Sequence, residues 1–209
     1  MDNTKLTFLP KLEDSIKQIL NIPITDERKE VLSPLIQYIR EKQDKNEAIN
    51  LNFICTHNSR RSQFSQIWAK VTSSYYGIKT NCFSGGIEIT AFNERAVASL
   101  QRIGFRIISD NATENPKYEV FYSDTAQSIK AFSKLVEDQS NPANNFAAIM
   151  TCDHADENCP IISGAEIRIP VRFEDPKKFD DTELEQKMYD ERSLQIASEM
   201  FYVFSRAND

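Results

Sequence analysis

At 209 residues, 40% of them hydrophobic, the chain is long enough for one domain with a buried core plus an extension. Its net charge of −6 argues against nucleic acid or a membrane as partner. No apolar run nears the ~20 residues that span a bilayer, and the polar start Met1-Asp2-Asn3-Thr4-Lys5 lacks a secretory core, which points to the cytoplasm. In that compartment Cys55, Cys82, Cys152 and Cys159 should be mostly reduced, and a disulfide among them catalytic rather than structural.

Residues 1–46 read as a charged helical extension without chemistry of its own, packed on the core or on a partner subunit, where it would mediate homo-oligomerisation. Leu12, Ile16, Ile19 and Leu20 repeat at helical spacing. A second helix starts at Thr25, with Asp26 and Glu27 in its first turn and Leu32, Leu35, Ile36 and Ile39 as its apolar stripe. At Pro34 that helix either kinks or restarts with Ser33 as cap.

Residues 47–209 read as an α/β domain. Ala48 to Ile54 is the first strand, followed by the loop Cys55-Thr56-His57-Asn58-Ser59-Arg60-Arg61-Ser62 and a helix with Phe64, Ile67, Trp68 and Val71 on its apolar face. Ile78 to Phe83 is a second strand, stopped by Ser84-Gly85-Gly86, with Cys82 as a core residue. Phe92 to Ile103 is helical. The stretch from Ser109 to Pro116 is loop-like, and Tyr118, Val120 and Tyr122 alternate as in a half-exposed strand. Ile129 to Val136 is a strand or a short helix. Phe146 to Thr151 is a short apolar strand of the kind buried on both faces of a parallel sheet. Thr182 to Arg206 is a terminal helix. Strands alternating with helices predict a parallel sheet, with ligands at the carboxyl ends of its strands.

Strand, tight loop and helix start together make an anion site, because the first backbone N–H groups of a helix lack acceptors and carry partial positive charge. A cysteine at the base of such a loop is expected to be a thiolate nucleophile. Arg61 offers a planar fork of donors to a tetrahedral oxyanion, and Asn58 tolerates left-handed backbone angles. The chemistry expected is covalent catalysis on an oxyanion, with residues 56 to 62 forming the binding loop.

Cys152 and Cys159 follow the Phe146 strand, so parallel strands carry Cys152 to the sheet edge that holds Cys55. Cys152 can then attack a Cys55 adduct, and Cys159 can attack Cys152. Two other readings stay open: zinc binding by Cys152, His154, Cys159 and an acid, at a spacing that fits no usual zinc pattern, and inert loop thiols. Asp175, held extended by Pro176, can protonate a departing oxygen or belong to an ordinary Asp-Pro turn.

From about residue 48 onward, these motifs resemble the low-molecular-weight phosphotyrosine phosphatase fold and, within it, the thioredoxin-coupled arsenate reductases. The resemblance rests on Cys55 to Ser62 and Cys152 to Pro160, with Ser84-Gly85-Gly86 and Asp175-Pro176 in support. It implies a four-stranded parallel sheet flanked by helices. It implies Cys55 as nucleophile, Arg61 as oxyanion clamp, Ser62 as support for the thiolate and Asn58 as keeper of the loop shape. Asp175 would be the general acid, and Cys152 and Cys159 the resolving pair, with thioredoxin as external reductant and neither cofactor nor metal. The function expected is arsenate reduction; the alternatives are phosphoester hydrolysis, as by a protein-tyrosine phosphatase, and oxyanion sensing without catalysis. Four features depart from the family: His57 where Gly is usual, the extra charge of Arg60, Gln66 where an acid near a cation site is frequent, and a long segment 111–142. A surface aromatic of that segment, Tyr118 or Tyr122, lines the site's mouth or packs.

Overall fold

The computed structural model describes residues 6–110, 113–158 and 161–209. Pro10 opens helix α1 (Pro10–Ile19), which buries Leu12, Ile16 and Ile19. Helix α2 (Asp26–Asp44) is capped by Thr25, whose hydroxyl accepts from Arg28 N at 3.3 Å. It runs through Pro34 without restarting, so Ser33 is not a cap. The proline forfeits one backbone bond, and burial of Leu32, Leu35 and Ile39 on both sides of it keeps the helix whole.

The central sheet has the order β2 (Thr80–Gly86), β1 (Ile49–Cys55), β6 (Phe146–Met150) and β7 (Ala165–Pro170), every neighbouring pair parallel. Helix α3 (Arg61–Tyr75) and helix α4 (Glu94–Ile103), the latter capped by Asn93, follow β1 and β2; α5 (Asp153–Asn158) follows β6. A 3-10 turn (Pro176–Phe179) and α6 (Glu185–Ala207) complete the chain after β7. One face of the sheet carries a large core in which Phe53, Trp68 and Phe204 join Leu12, Leu35 and Ile39 of the first two helices. The described part of residues 1–46 therefore packs on the core; Arg28 adds a two-point ion pair to buried Glu199 of α6. The other face carries a smaller cluster with Ile54, Phe146, Met150 and Ala155.

Two stretches differ from expectation. The second strand does not stop before Ser84 but runs on through Gly85 and Gly86, pairing with Ile54 and Cys55. A Cβ on Gly85 would lie 2.7 Å from Val136 Cα, and one on Gly86 2.8 Å from Asn58 N, so these glycines permit close backbone approach. The segment after α4 forms an antiparallel sheet in which β4 (Tyr118–Phe121) is the expected half-exposed strand and β5 (Ile129–Ala131) falls where strand or helix stood open, while β3 (Arg106–Ser109) and the antiparallel pairing were not anticipated. Beyond β5 the chain passes under the Cys55 loop.

Candidate active site

Cys55 ends β1 at the centre of the sheet, and α3 begins six residues later. The start of α3 carries no side-chain cap, which leaves its first-turn N–H groups to an anion. The Cys55 sulfur lies 3.1 Å from Ser62 Oγ. Ser62 Oγ in turn accepts from Asn58 Nδ2 at 2.8 Å, which orients the hydroxyl proton toward sulfur. Asn58 sits in the left-handed region with φ +46°, and its Oδ1 accepts from Lys134 N at 3.1 Å. One buried side chain thus fixes both the turn and the serine.

The loop is braced from outside by residues that carry no motif. Ser133 Oγ donates to the His57 carbonyl at 2.8 Å, and Gln63 Nε2 bridges the carbonyls of Asn58 and Phe132 at 2.9 and 2.8 Å. Ser59 is tied to the α4 entry: its hydroxyl donates to the Ala91 carbonyl and its own carbonyl accepts from Asn93 N. The Thr56 carbonyl takes the N–H groups of Ile87 and Glu88. Thus the long segment supplies a buttress, Phe132 to Val136. Tyr118 lines a cleft of about 480 Å³ beside the loop, and Tyr122 packs in the core.

Arg61 is mostly buried. Its Nη1 donates to the Phe173 carbonyl at 3.0 Å and its Nη2 to Asp175 Oδ2 at 2.7 Å. Its Nε is buried without a partner, an orphaned donor on the side edge of the guanidinium. The two Nη groups are therefore taken by Phe173 and Asp175, while Nε keeps an unused donor. Asp175 caps the 3-10 turn through Lys177 N at 3.1 Å. Arg60 turns away from the loop centre: its Nε donates to Tyr189 Oη at 3.1 Å, and its Nη1 lies 3.7 Å from Asp175 Oδ1. The His57 ring points outward, with Nε2 3.2 Å from Glu88 Oε2. Gln66 is a neutral link, accepting from Ser84 Oγ and donating to the Lys130 carbonyl.

Cys152 follows β6 directly. Thr151 N donates to the Ile54 carbonyl at 2.7 Å, which continues the ladder one step past Met150. Extending that register sets Thr151 opposite Cys55 and Cys152 opposite Thr56. Cys152 Sγ lies 3.5 Å from Thr56 Oγ1 and accepts from Ala155 N at 3.4 Å; it shares the small apolar cluster with Cys55. At ideal strand spacing, about 4.8 Å between strands and about 3.3 Å per residue, such a one-residue diagonal is about 6 Å between Cα atoms. That is inside the ~7 Å limit for a disulfide. Cys159 lies outside the described residues. Cys82 stands on β2 four residues before Gly86, partly buried against the large core, and burial pushes its thiol up to about 12. Asp156 of α5 is clamped by Arg168 and Arg172. Among the described residues no group of three or more His, Cys, Asp or Glu is arranged to hold a metal.

The structure thus brings together Cys55, residues 56 to 62, Asp175 and Cys152. The side chains of His57 and Arg60 leave the loop interior. Ser133, Lys134, Gln63 and Tyr189 were not legible in the sequence as parts of the site; no local pattern marks them.

No family model matches the chain. Over 124 residues it is 32% identical to an arsenate reductase of Brevibacillus brevis, covering 59% of this chain and 74% of that protein. Over 134 residues it is 29% identical to an arsenate reductase of Halalkalibacterium halodurans, covering 64% and 78%. A low-molecular-weight phosphotyrosine phosphatase from Vibrio cholerae shares the fold with a TM-score of 0.50 and 14% identity, over 76% of this chain and 95% of that one.

Proposed function

The chain belongs to the arsenate reductase family of enzymes, on the low-molecular-weight phosphotyrosine phosphatase fold, and from that premise we propose that it reduces arsenate to arsenite through Cys55, Cys152 and Cys159. The observation that supports the redox reading is the second thiol: Cys152 comes two residues after the end of β6, the strand beside β1, with its sulfur 3.5 Å from Oγ1 of Thr56, the residue next to Cys55.

Arsenate docks on the N–H groups of residues 56 to 62 and on the unused Nε donor of Arg61. The Cys55 thiolate, held by Ser62, attacks arsenic, and Asp175 gives its proton to the departing oxygen, which leaves as water. Cys152, as thiolate, then attacks the Cys55 sulfur. A Cys55–Cys152 bond forms, the sulfur–arsenic bond breaks, and its electron pair stays on arsenic, which leaves as arsenite. Cys159 attacks Cys152 and frees Cys55. The remaining Cys152–Cys159 disulfide is reduced by an external dithiol protein of the thioredoxin class.

A second reading, hydrolysis of an aryl phosphoester, has one observation in its favour. The cleft beside the loop is walled by Phe92, Pro116 and Tyr118, a surface suited to a flat apolar group. Hydrolysis needs Cys55, Arg61 and Asp175 but neither Cys152 nor Cys159. Parallel assays of arsenate reduction with thioredoxin and of aryl phosphate hydrolysis separate the readings. Reduction that is lost in Cys152→Ser supports the first; strong hydrolysis unaffected by that change, without reduction, supports the second.

A further inference from the structure

Asp175 is held by two guanidinium groups, and the loop motif requires only one of them. Arg61 has two anions to serve. Its fork grips Asp175 at 2.7 Å, and its Nε is a buried donor left without a partner. A dianion on that donor competes for the same positive charge and repels the carboxylate. Asp175 sits at the start of the short 3-10 turn and is only partly buried, so a weakened Arg61 contact alone would let it swing out.

The far side of the carboxylate meets a second anchored cation. Arg60 Nη1 lies 3.7 Å from Asp175 Oδ1, and its Nε donates to Tyr189 Oη at 3.1 Å. Tyr189 is fully buried in α6 and donates to Asp180 Oδ1 at 2.7 Å. Burial and that bond push the phenol up, so it remains a donor. Asp180 closes the same 3-10 turn that Asp175 opens. The turn is therefore gripped at both ends through one chain of contacts, Asp175 to Arg60 to Tyr189 to Asp180. Other charges beside this stretch are Glu174, 3.6 Å from Arg192; Lys177, which lines the cleft; Lys178; and Arg95, which pairs with Asp181 at 2.7 Å next to Asp180.

We propose that Arg60 is a positioning residue: through Tyr189 and Asp180 it keeps Asp175 over the loop while Arg61 turns its charge to the substrate oxyanion. This rests on the assignment of Asp175 as the acid. The loop can bind its anion without the Arg60 side chain, which points away from the loop centre, so its loss should fall on the chemical step and not on binding.

The test is steady-state arsenate reduction with thioredoxin by Arg60→Met, Arg60→Lys, Asp175→Asn and the Arg60→Met/Asp175→Asn double variant. Arg60→Met should lower kcat about tenfold with KM for arsenate within about twofold, as expected for a misplaced catalytic group. Arg60→Lys should recover most of the loss, and Arg60→Met should cost nothing further on the Asp175→Asn background. If Arg60→Met does not fold, Tyr189→Phe takes its place in the cycle. Losses that multiply across the cycle, a change in KM alone, or full kcat without Arg60 overturn the inference while leaving the acid assignment intact. Parental kcat in Asp175→Asn overturns the acid assignment and the inference with it.

Discussion

Replacing Asn58 tests whether the loop's shape is carried by one side chain. Asn58→Ala keeps an L-residue at φ +46°, where the missing polar group leaves about 1 kcal/mol of steric strain. It also removes the 2.8 Å bond to Ser62 Oγ and the 3.1 Å bond from Lys134 N, both in buried surroundings. Each group left without a partner there costs about 1–3 kcal/mol. The sum is a loss of about 3–7 kcal/mol, or a fall in Tm of about 6–28 °C at 2–4 °C per kcal/mol for a chain of this size. Asn58→Gly loses the same bonds without the strain and should be about 1 kcal/mol less damaged than the alanine variant. Urea unfolding of the three proteins at one pH gives both differences, and kcat should fall in both variants because Ser62 loses its orientation. An alanine variant within about 1 kcal/mol of the parent, or no better stability in the glycine variant, would refute the reasoning.

Other outcomes follow from the same geometry. Lys134 is 4% exposed, and burial pulls its ammonium down from 10.5 to about 8, with Asp138 offsetting little of that. Between pH 8 and 10.5 the unfolded chain holds this proton and the folded chain does not, so stability should rise with pH across that window, by about 3 kcal/mol (2.5 units at 1.36 each). Lys134→Met should flatten that rise in urea titrations at several pH values. Leu35→Ala in α2, at a position 0% exposed, should cost about 2–5 kcal/mol in the same assay; a loss under 1 would mean the first two helices are not part of the cooperative core. Arg61→Lys keeps the charge but loses the fork to Phe173 and Asp175, and should reduce kcat/KM for arsenate at least about 100-fold.

The loop was legible because its parts are adjacent in sequence: an apolar strand, a cysteine, an asparagine at the turn and an arginine at the helix start. The parallel character of the sheet followed from the alternation of its strands with helices. Gly85 and Gly86 misled because the residue that ends a strand is also the one that lets two backbones approach, and only the facing Val136 and Asn58 distinguish the cases. Of the antiparallel sheet, β4 was legible in its alternation, β5 stayed between strand and helix because it spans three residues, and β3 escaped because four residues are too few to display alternation. Ser133 and Tyr189 reach the loop from 76 and 129 residues away, and an ordinary serine and tyrosine give no sign of that in the chain. Pro34 could be judged only once the burial on both sides of it was visible.

The relay of thiols is tested most directly by trapping its first disulfide. Cys159→Ser, given one equivalent of arsenate without reductant and alkylated before digestion, should release one arsenite per chain and yield a Cys55–Cys152 linked peptide by mass spectrometry, with Cys82 alkylated. No arsenite released, or a Cys55 adduct that hydrolyses while Cys152 stays fully alkylated, would contradict the account.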